Sequence, residues 1–433
     1  MAVYYDQQKY ESLREEYSFL RYQSYDYHIN NQMMSVKFSF SLDDKYFFYP
    51  SFEMPSRDFY RWDNIEKDQL DTLIFNIGMA ELVSYWKLAC PKKVYIAPHY
   101  IDDNQIKWWK KLYFNGLGEF FYLNKISTNV NDFMSIVVES DIPCKKLHSS
   151  LNERTLVPVG GGKDSAVTIE LLRNKMPLIP FIINPRGATI DTVTAAGYEM
   201  SQAAVINRTL DPTMLKMNNE GFLNGHTPFS ALLAFYSLLV ATATNSKYIA
   251  LSNESSANES TVPDTEINHQ YSKSLTFEND FRDYVKNYIS DEIQYFSFLR
   301  PLNELQIANQ FSKFEHYHDV FRSCNAGSKT NSWCGKCPKC LFTWIILSPF
   351  LSHEKLMKIF GSDVINDESL KPILAQLKGE AEVKPFECVG TVEEVNACLM
   401  KNSQDDSFEI LLHSYDDNNN LPSIFENILK NNL

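Results

Sequence analysis

The sequence is short of positive charge, of long apolar runs and of cysteine, and each shortage excludes something. Lys and Arg number 41 against 54 Asp and Glu, a formal net charge of −13. That balance argues against a nucleic-acid backbone or an anionic membrane as the main partner. The first thirty residues carry scattered charge and no apolar core of the kind a secretory leader needs. The longest uncharged run, residues 227–246, contains Pro228, Ser230, Tyr236, Ser237, Thr242, Thr244 and Asn245, so it reads as a buried helix rather than a membrane span. Eight cysteines in 433 residues are too sparse for the disulfide scaffold of a small secreted domain. No internal repeat is visible, and only residues 416–420 are low in complexity. The expectation is a cytoplasmic protein with no membrane and no nucleic-acid partner.

What is present supports packed cores. Hydrophobic residues make up 44% of the chain and aromatic ones 14%, which excludes wholesale disorder. The length suggests two or three domains. Residues 1–150 read as an α+β domain: a Tyr- and Glu-rich helix-like start, an alternating strand at 36–42, a helix at 70–89 closed by Pro91, a strand at 94–97, and a helix at 105–114 stopping at Asn115-Gly116. From Thr155 the pattern becomes strand, turn, helix: strands at 156–159, 178–183, 203–206 and 248–251, with helices at 165–174, 189–196 and 229–244. Such alternation predicts a parallel sheet whose ligand lies beyond the carboxyl ends of its strands. This catalytic domain is placed at 151–322. Residues 323–433 are expected to form a cysteine knuckle followed by a mainly helical region.

Gly160-Gly161-Gly162-Lys163-Asp164-Ser165 sits between a predicted strand and a predicted helix. Three glycines let backbone N–H groups approach an anion, Ser165 is placed to cap the helix, the helix N-terminus adds partial positive charge, and Lys163 is read as a mobile cation. A Walker A loop would need Gly where Val157 stands and a Ser or Thr where Asp164 stands. A dinucleotide fingerprint would need Gly or Ala at Ser165 and an acid at Asn184. The segment instead resembles the Ser-Gly-Gly-x-Asp-Ser loop of the ATP pyrophosphatases, with Gly160 in place of the leading Ser. That resemblance implies ATP cleavage between the α and β phosphates, usually to adenylate an oxygen nucleophile, with Mg²⁺ on the phosphates and Asp164 as its candidate ligand.

Four of the eight cysteines crowd together as Cys324-x9-Cys334-Gly-Lys-Cys337-Pro-Lys-Cys340, with two C-x2-C steps. Four thiolates at this spacing predict structural Zn²⁺. Three alone would resemble the iron–sulfur triplets of some thiolation enzymes, and Cys324 as a fourth favours zinc. The knuckle also resembles that of 7-cyano-7-deazaguanine synthase, which carries the same type of phosphate loop.

Other polar clusters are candidates with bland alternatives. Glu254 and Glu259 follow the strand at 248–251 on the expected ligand side, and are otherwise residues of a solvated loop. His269 and Lys273 lie in the polar stretch 268–274, where His269 is either an acid or base or a surface histidine. Thr227 is expected to cap the buried helix, His316 and His318 to be structural, and Glu278 and Asp280 to be first-turn helix charges.

Together the loop, residues 252–259, residues 268–274, the knuckle and the flanking runs 115–122 and 384–391 resemble the UDP-N-acetylmuramoyl-L-alanyl-L-glutamate epimerase (MurL) family. The resemblance implies a parallel-sheet α/β core of the ATP pyrophosphatase (HUP-like, adenine nucleotide alpha hydrolase-like) type and a UDP-muramoyl dipeptide as substrate. It implies ATP, Mg²⁺ and structural Zn²⁺ as cofactors, and adenylation of the terminal glutamate carboxylate followed by inversion of its α-carbon. His269 and Glu254 are the expected acid and base, with Lys273 and Arg186 as anchors for carboxylate or phosphate. Another adenylating enzyme of nucleobases or tRNA, or a non-catalytic nucleotide-binding module, are the competing readings.

Overall fold

A computed structural model describes residues 7–148, 150–401 and 406–433. In chain order the strands are β1 (Phe19–Ile29), β2 (Met33–Leu42), β3 (Tyr46–Phe48), β4 (Ser51–Pro55), β5 (Lys93–Ile96), β6 (Ser135–Val138), β7 (Asn152–Pro158), β8 (Leu178–Ile183), β9 (Ala204–Thr209), β10 (Ser246–Leu251) and β11 (Gln294–Ser297). The chain forms two compact units.

The first unit combines the described part of Met1–Asn152 with Val205–Lys247 and Asn279–Ile293. Strand β2 pairs antiparallel with β1, β3 and β4, and β4 pairs antiparallel with β9. Strand β5 runs parallel to both β1 and β6. The alternation in β2 places Val36, Phe38, Phe40 and Leu42 in the core. The helix Lys67–Trp86 is buried on nearly every side, as an apolar helix without a polar face must be. Its most deeply buried acid, Glu81, is satisfied by Arg208 of β9 and by the Tyr236 hydroxyl at 3.2 Å. Burying this carboxylate unpaired would cost several kcal/mol.

The apolar run proves to be the buried helix Phe229–Ala243. Its N-cap is Pro228 with no side-chain cap, so Thr227 does not play the capping role expected of it; its carbonyl instead accepts from the Phe229 N–H at 2.7 Å. No helix among the described residues is long and apolar enough to cross a membrane.

The second unit comprises Glu153–Ala204, Tyr248–Glu278 and Gln294–Leu433. Its strands follow the order β11-β10-β7-β8, with β10–β11 and β7–β8 parallel. Strand β8 is a continuous apolar run, the pattern of a strand covered on both faces, and β7 is buried over its second half, Thr155–Pro158. The C-terminal third is helical and shares this core: the Phe425 ring lies 4.9 Å from that of Tyr248 and 4.6 Å from that of Phe296. The strand expected at 203–206 forms as β9, which extends to Thr209, and its second half, Asn207, Arg208 and Thr209, pairs antiparallel with β4.

Candidate active site and cysteine knuckle

Strand β7 ends at Pro158, and the helix Lys163–Leu172 begins two residues earlier than its sequence pattern indicated. Gly162 is the N-cap and no side chain caps it, which leaves first-turn N–H groups available to an anion. Ser165 therefore does not cap: it sits in the first turn, and its hydroxyl donates back to the Gly162 carbonyl at 3.1 Å. The three glycines are not equivalent. Gly161 has φ +82°, and a Cβ there would stand 2.9 Å from the Ala188 carbonyl carbon, so only glycine fits. Gly160 faces open space. The Gly161 carbonyl accepts from Arg322 N–H at 2.8 Å, which ties the loop to the segment leading into the knuckle.

Lys163 is not the mobile cation expected. It is 4% exposed, and its ammonium is bonded to both Asp164 and Glu304. Burial works against its charge, yet these two carboxylates overcome that and raise its pKa. Asp164, Glu254 and Glu304 bring ligand oxygens within 4.8 Å of one another. Glu254 follows β10, as the sequence placed it, and is buried. Burial first, then the neighbouring Asp164, raises its pKa. Glu304 starts the helix Glu304–Ser312, and burial pushes its carboxyl well up despite Lys163. Glu394 joins them: one carboxylate oxygen accepts from Glu304 N–H at 2.8 Å and the other from Thr391 N–H at 2.5 Å. Three acids thus gather beside one buried lysine, with Glu394 tied to the backbone of one of them, and their oxygens are of the kind a hard cation takes.

Lys273 links this cluster to a second one. It interacts electrostatically with Glu254 and Asp164, and its ammonium lies 3.2 Å from the Cys388 sulfur. The His269 side chain hydrogen-bonds the same sulfur, and Lys339 adds positive potential. Burial alone would push the Cys388 thiol up; Lys273, Lys339 and His269 instead hold it well below the usual thiol range. Arg300, fully buried, braces both clusters. Its guanidinium donates to the backbone carbonyls of Glu254, at 2.6 Å, and Lys273, to Ser297 Oγ at 3.1 Å and to Glu278 at 3.3 Å. Glu278 is thus more than the first-turn charge expected of it: it is 1% exposed and is the counter-ion of Arg300.

The four knuckle cysteines meet as their spacing implied. Sulfur separations are 3.7 Å for Cys324–Cys337, 3.7 Å for Cys334–Cys340 and 3.5 Å for Cys337–Cys340. These are too long for disulfides. Tetrahedral zinc with bonds of about 2.3 Å needs sulfurs about 3.8 Å apart. The cluster can hold a zinc ion, whereas thiolates bound to separate irons of a cluster would stand farther apart. Backbone N–H groups of Gly327 and Lys336 point at Cys324 and Cys334 sulfur, at 3.2 and 3.4 Å, and steady the thiolates.

Other expected residues lie apart from these clusters or serve structure. Arg186 is the N-cap of the helix Gly187–Ala195 and reaches Ser328 at 3.3 Å. Glu259 pairs with Lys384. His316 bonds Glu170 at 3.1 Å, His318 is buried against Phe311, and Asp280 pairs with Lys111 at 2.6 Å. Arg300, Glu304, Cys388 and Glu394 were not singled out from sequence. Only Cys388 had a signal there, its place in the run 384–391.

Residues 11–298 match the model of the MurL N-terminal domain, and residues 320–416 that of the MurL C-terminal domain. The chain belongs to the MurL family. Similar curated relatives are named UDP-N-acetyl-alpha-D-muramoyl-L-alanyl-L-glutamate epimerase. One from a Micromonospora species is 33% identical over 333 residues, covering 75% of this chain and 73% of the relative. Another from Xanthomonas oryzae pv. oryzae is 34% identical over 327 residues, 73% and 71% of the two chains, and a third from Salinispora tropica is 34% identical over 319 residues, 72% and 69%. In this MurL chain Asp164, Glu254, His269 and Lys273 lie in the first matched segment, Lys339, Cys388 and Glu394 in the second, and Arg300 and Glu304 between the two.

Proposed function

We propose that this chain is an ATP-dependent epimerase of UDP-N-acetylmuramoyl-L-alanyl-L-glutamate in peptidoglycan precursor synthesis. It adenylates the terminal glutamate carboxylate, with release of diphosphate, inverts the α-carbon, and releases AMP on hydrolysis. The observation that carries the reading is the uncapped helix start behind Gly161, with Asp164, Glu254 and Glu304 immediately beside it. That arrangement supports an ATP pyrophosphatase-type loop, with N–H groups for the phosphates and hard oxygens that suit Mg²⁺. When bound, Mg²⁺ would neutralise the triphosphate, held by those three carboxylates. Zn²⁺ in the knuckle would fix the segment that carries Lys339.

The chemistry explains the need for ATP. Removing an α-proton beside a free carboxylate builds a second negative charge next to the first. The mixed anhydride with AMP removes that first charge and acidifies the Cα–H, so acid–base groups on the two faces can invert the centre. Lys273 is an anchor for developing negative charge.

The test is direct. Purified chain is incubated with ATP, Mg²⁺ and the L-Ala-L-Glu precursor, and AMP, diphosphate and the chirality of the released glutamate are measured. D-glutamate with stoichiometric AMP is expected, together with about one zinc per chain by metal analysis. ATP turnover without inverted glutamate would remove the epimerase reading in favour of another adenylating enzyme. Absence of ATP binding would leave only a module without this chemistry.

A further inference from the structure

We propose that the Cys388 sulfur is one of the two groups that move the proton at the substrate α-carbon. The proposal rests on the epimerase reading and deepens it by naming a residue. Three side chains from two stretches of chain meet at or around this sulfur: Lys273 at 3.2 Å and His269 by a hydrogen bond, both from 268–274, and Lys339 by its charge. Nothing about packing requires two lysines and a histidine around one half-buried thiol. Cys90 shows the opposite balance: it is fully buried, and burial outweighs the charges of Arg14 and Lys87 and raises the thiol.

The position also fits. Lys273 joins the sulfur to the carboxylates next to the loop, because the same ammonium interacts with Glu254 and Asp164. Gln270, 7% exposed, places its amide nitrogen 3.5 Å from the carbonyl of Val389, next in the chain to Cys388, and its Oε1 has no hydrogen-bond partner within the protein. A buried amide oxygen left unpaired is destabilising, and a substrate N–H would offset that cost. Glu254 instead faces other carboxylates, a setting for a cation rather than for work at carbon.

In the step, the thiolate takes the α-proton: the Cα–H bond breaks, an S–H bond forms, and the electron pair enters the enolate of the acyl adenylate. An acid on the opposite face returns a proton to carbon. The thiol then loses its proton to water, with His269 beside it as the route, and the acid regains one from water. Lys273 and Lys339 keep the sulfur charged between turnovers.

Two measurements on the full chain test this. In the first, wild-type protein is treated with iodoacetamide at pH 6 and the labelled cysteines are mapped. Cys388 is expected to react at least tenfold faster than Cys90, Cys144 or Cys398, and the Lys273→Met variant to slow it about tenfold. In the second, Cys388→Ser and Cys388→Ala are assayed in D2O with ATP, Mg²⁺ and the dipeptide precursor. Deuterium entry at the glutamate α-carbon and D-glutamate formation should fall at least ~100-fold. Substrate-dependent exchange of labelled pyrophosphate into ATP should fall less than ~10-fold, which separates loss of the proton step from loss of the fold. Variants that still invert glutamate within tenfold of wild type, or a Cys388 no more reactive than the other three, overturn the proposal. Wild-type chain with neither exchange nor inverted product overturns the epimerase reading itself.

Discussion

Arg300 offers the sharpest test of how the site is held. Its guanidinium reaches two backbone carbonyls, Glu254 and Lys273, as well as Ser297 and the buried carboxylate of Glu278. Replacing it by lysine keeps the charge but loses the planar fork, so at least one of the two buried carbonyls is left without its donor. Each such loss costs about 1–3 kcal/mol, so Arg300→Lys should destabilise by at least about 1 kcal/mol and by about 3 kcal/mol at the upper end for a single lost donor. Arg300→Met removes the charge as well and strands Glu278. Among the described residues the Glu278 carboxylate keeps Asn420 Nδ2 at 2.9 Å and Ser297 N–H at 3.2 Å, and breaking a buried pair of this kind costs about 3–5 kcal/mol. A deciding control is the double variant Arg300→Met with Glu278→Gln, which removes both charges. It should be more stable than Arg300→Met alone by about 1–3 kcal/mol. Urea unfolding read by fluorescence gives the stabilities. In parallel, inversion of glutamate should fall about 100-fold in Arg300→Lys, the cost of misplacing site groups by about 1 Å. Arg300→Lys with unchanged unfolding midpoint and unchanged turnover would refute the bracing role, and a double variant no better than Arg300→Met would refute the pairing with Glu278.

Two further predictions concern the loop and a buried amine. Gly161→Ala should destabilise by at least about 1 kcal/mol and abolish ATP binding measured by calorimetry, because φ is +82° and a Cβ meets the Ala188 backbone at 2.9 Å; Gly160→Ser, facing open space, should bind ATP as wild type does. Lys87 is buried, and burial first, with Arg208 adding to it, pushes its pKa from the ordinary 10.5 down to about 8. The unfolded chain therefore binds more protons between those values, so this residue's contribution makes the folded state more stable as pH rises through that window. Lys87→Met should gain stability over wild type at pH 7, by up to about 3 kcal/mol, and the gain should shrink toward pH 10 in urea titrations; a gain that does not change with pH would refute the cause.

Parts of this site were legible because covalent spacing alone places them. The C-x2-C steps put Cys334, Cys337 and Cys340 within bonding reach of one ion whatever the rest of the chain does. The order of apolar strand, glycines and helix likewise located the loop to within two residues. The helix Phe229–Ala243 and strand β8 were visible because uninterrupted apolar runs must be covered.

Other features depended on topology. Lys163 reads in sequence as a free cation at a loop. Only the arrival of Glu304, 141 residues later, turns it into the buried centre of a charge cluster. Cys388, 115 residues beyond Lys273, has no local pattern that marks it as a thiolate, since a thiol's acidity is set by charges that tertiary contacts bring near. The pairing of β9 with β4 was likewise open, because a strand's partner is chosen by which edge it meets. The sequence by itself determined the knuckle, the loop and the family, all properties of short contiguous segments. The tertiary structure alone decided which distant charges share one buried volume, because electrostatic energy depends on separation in space and on desolvation, and neither is written in local order.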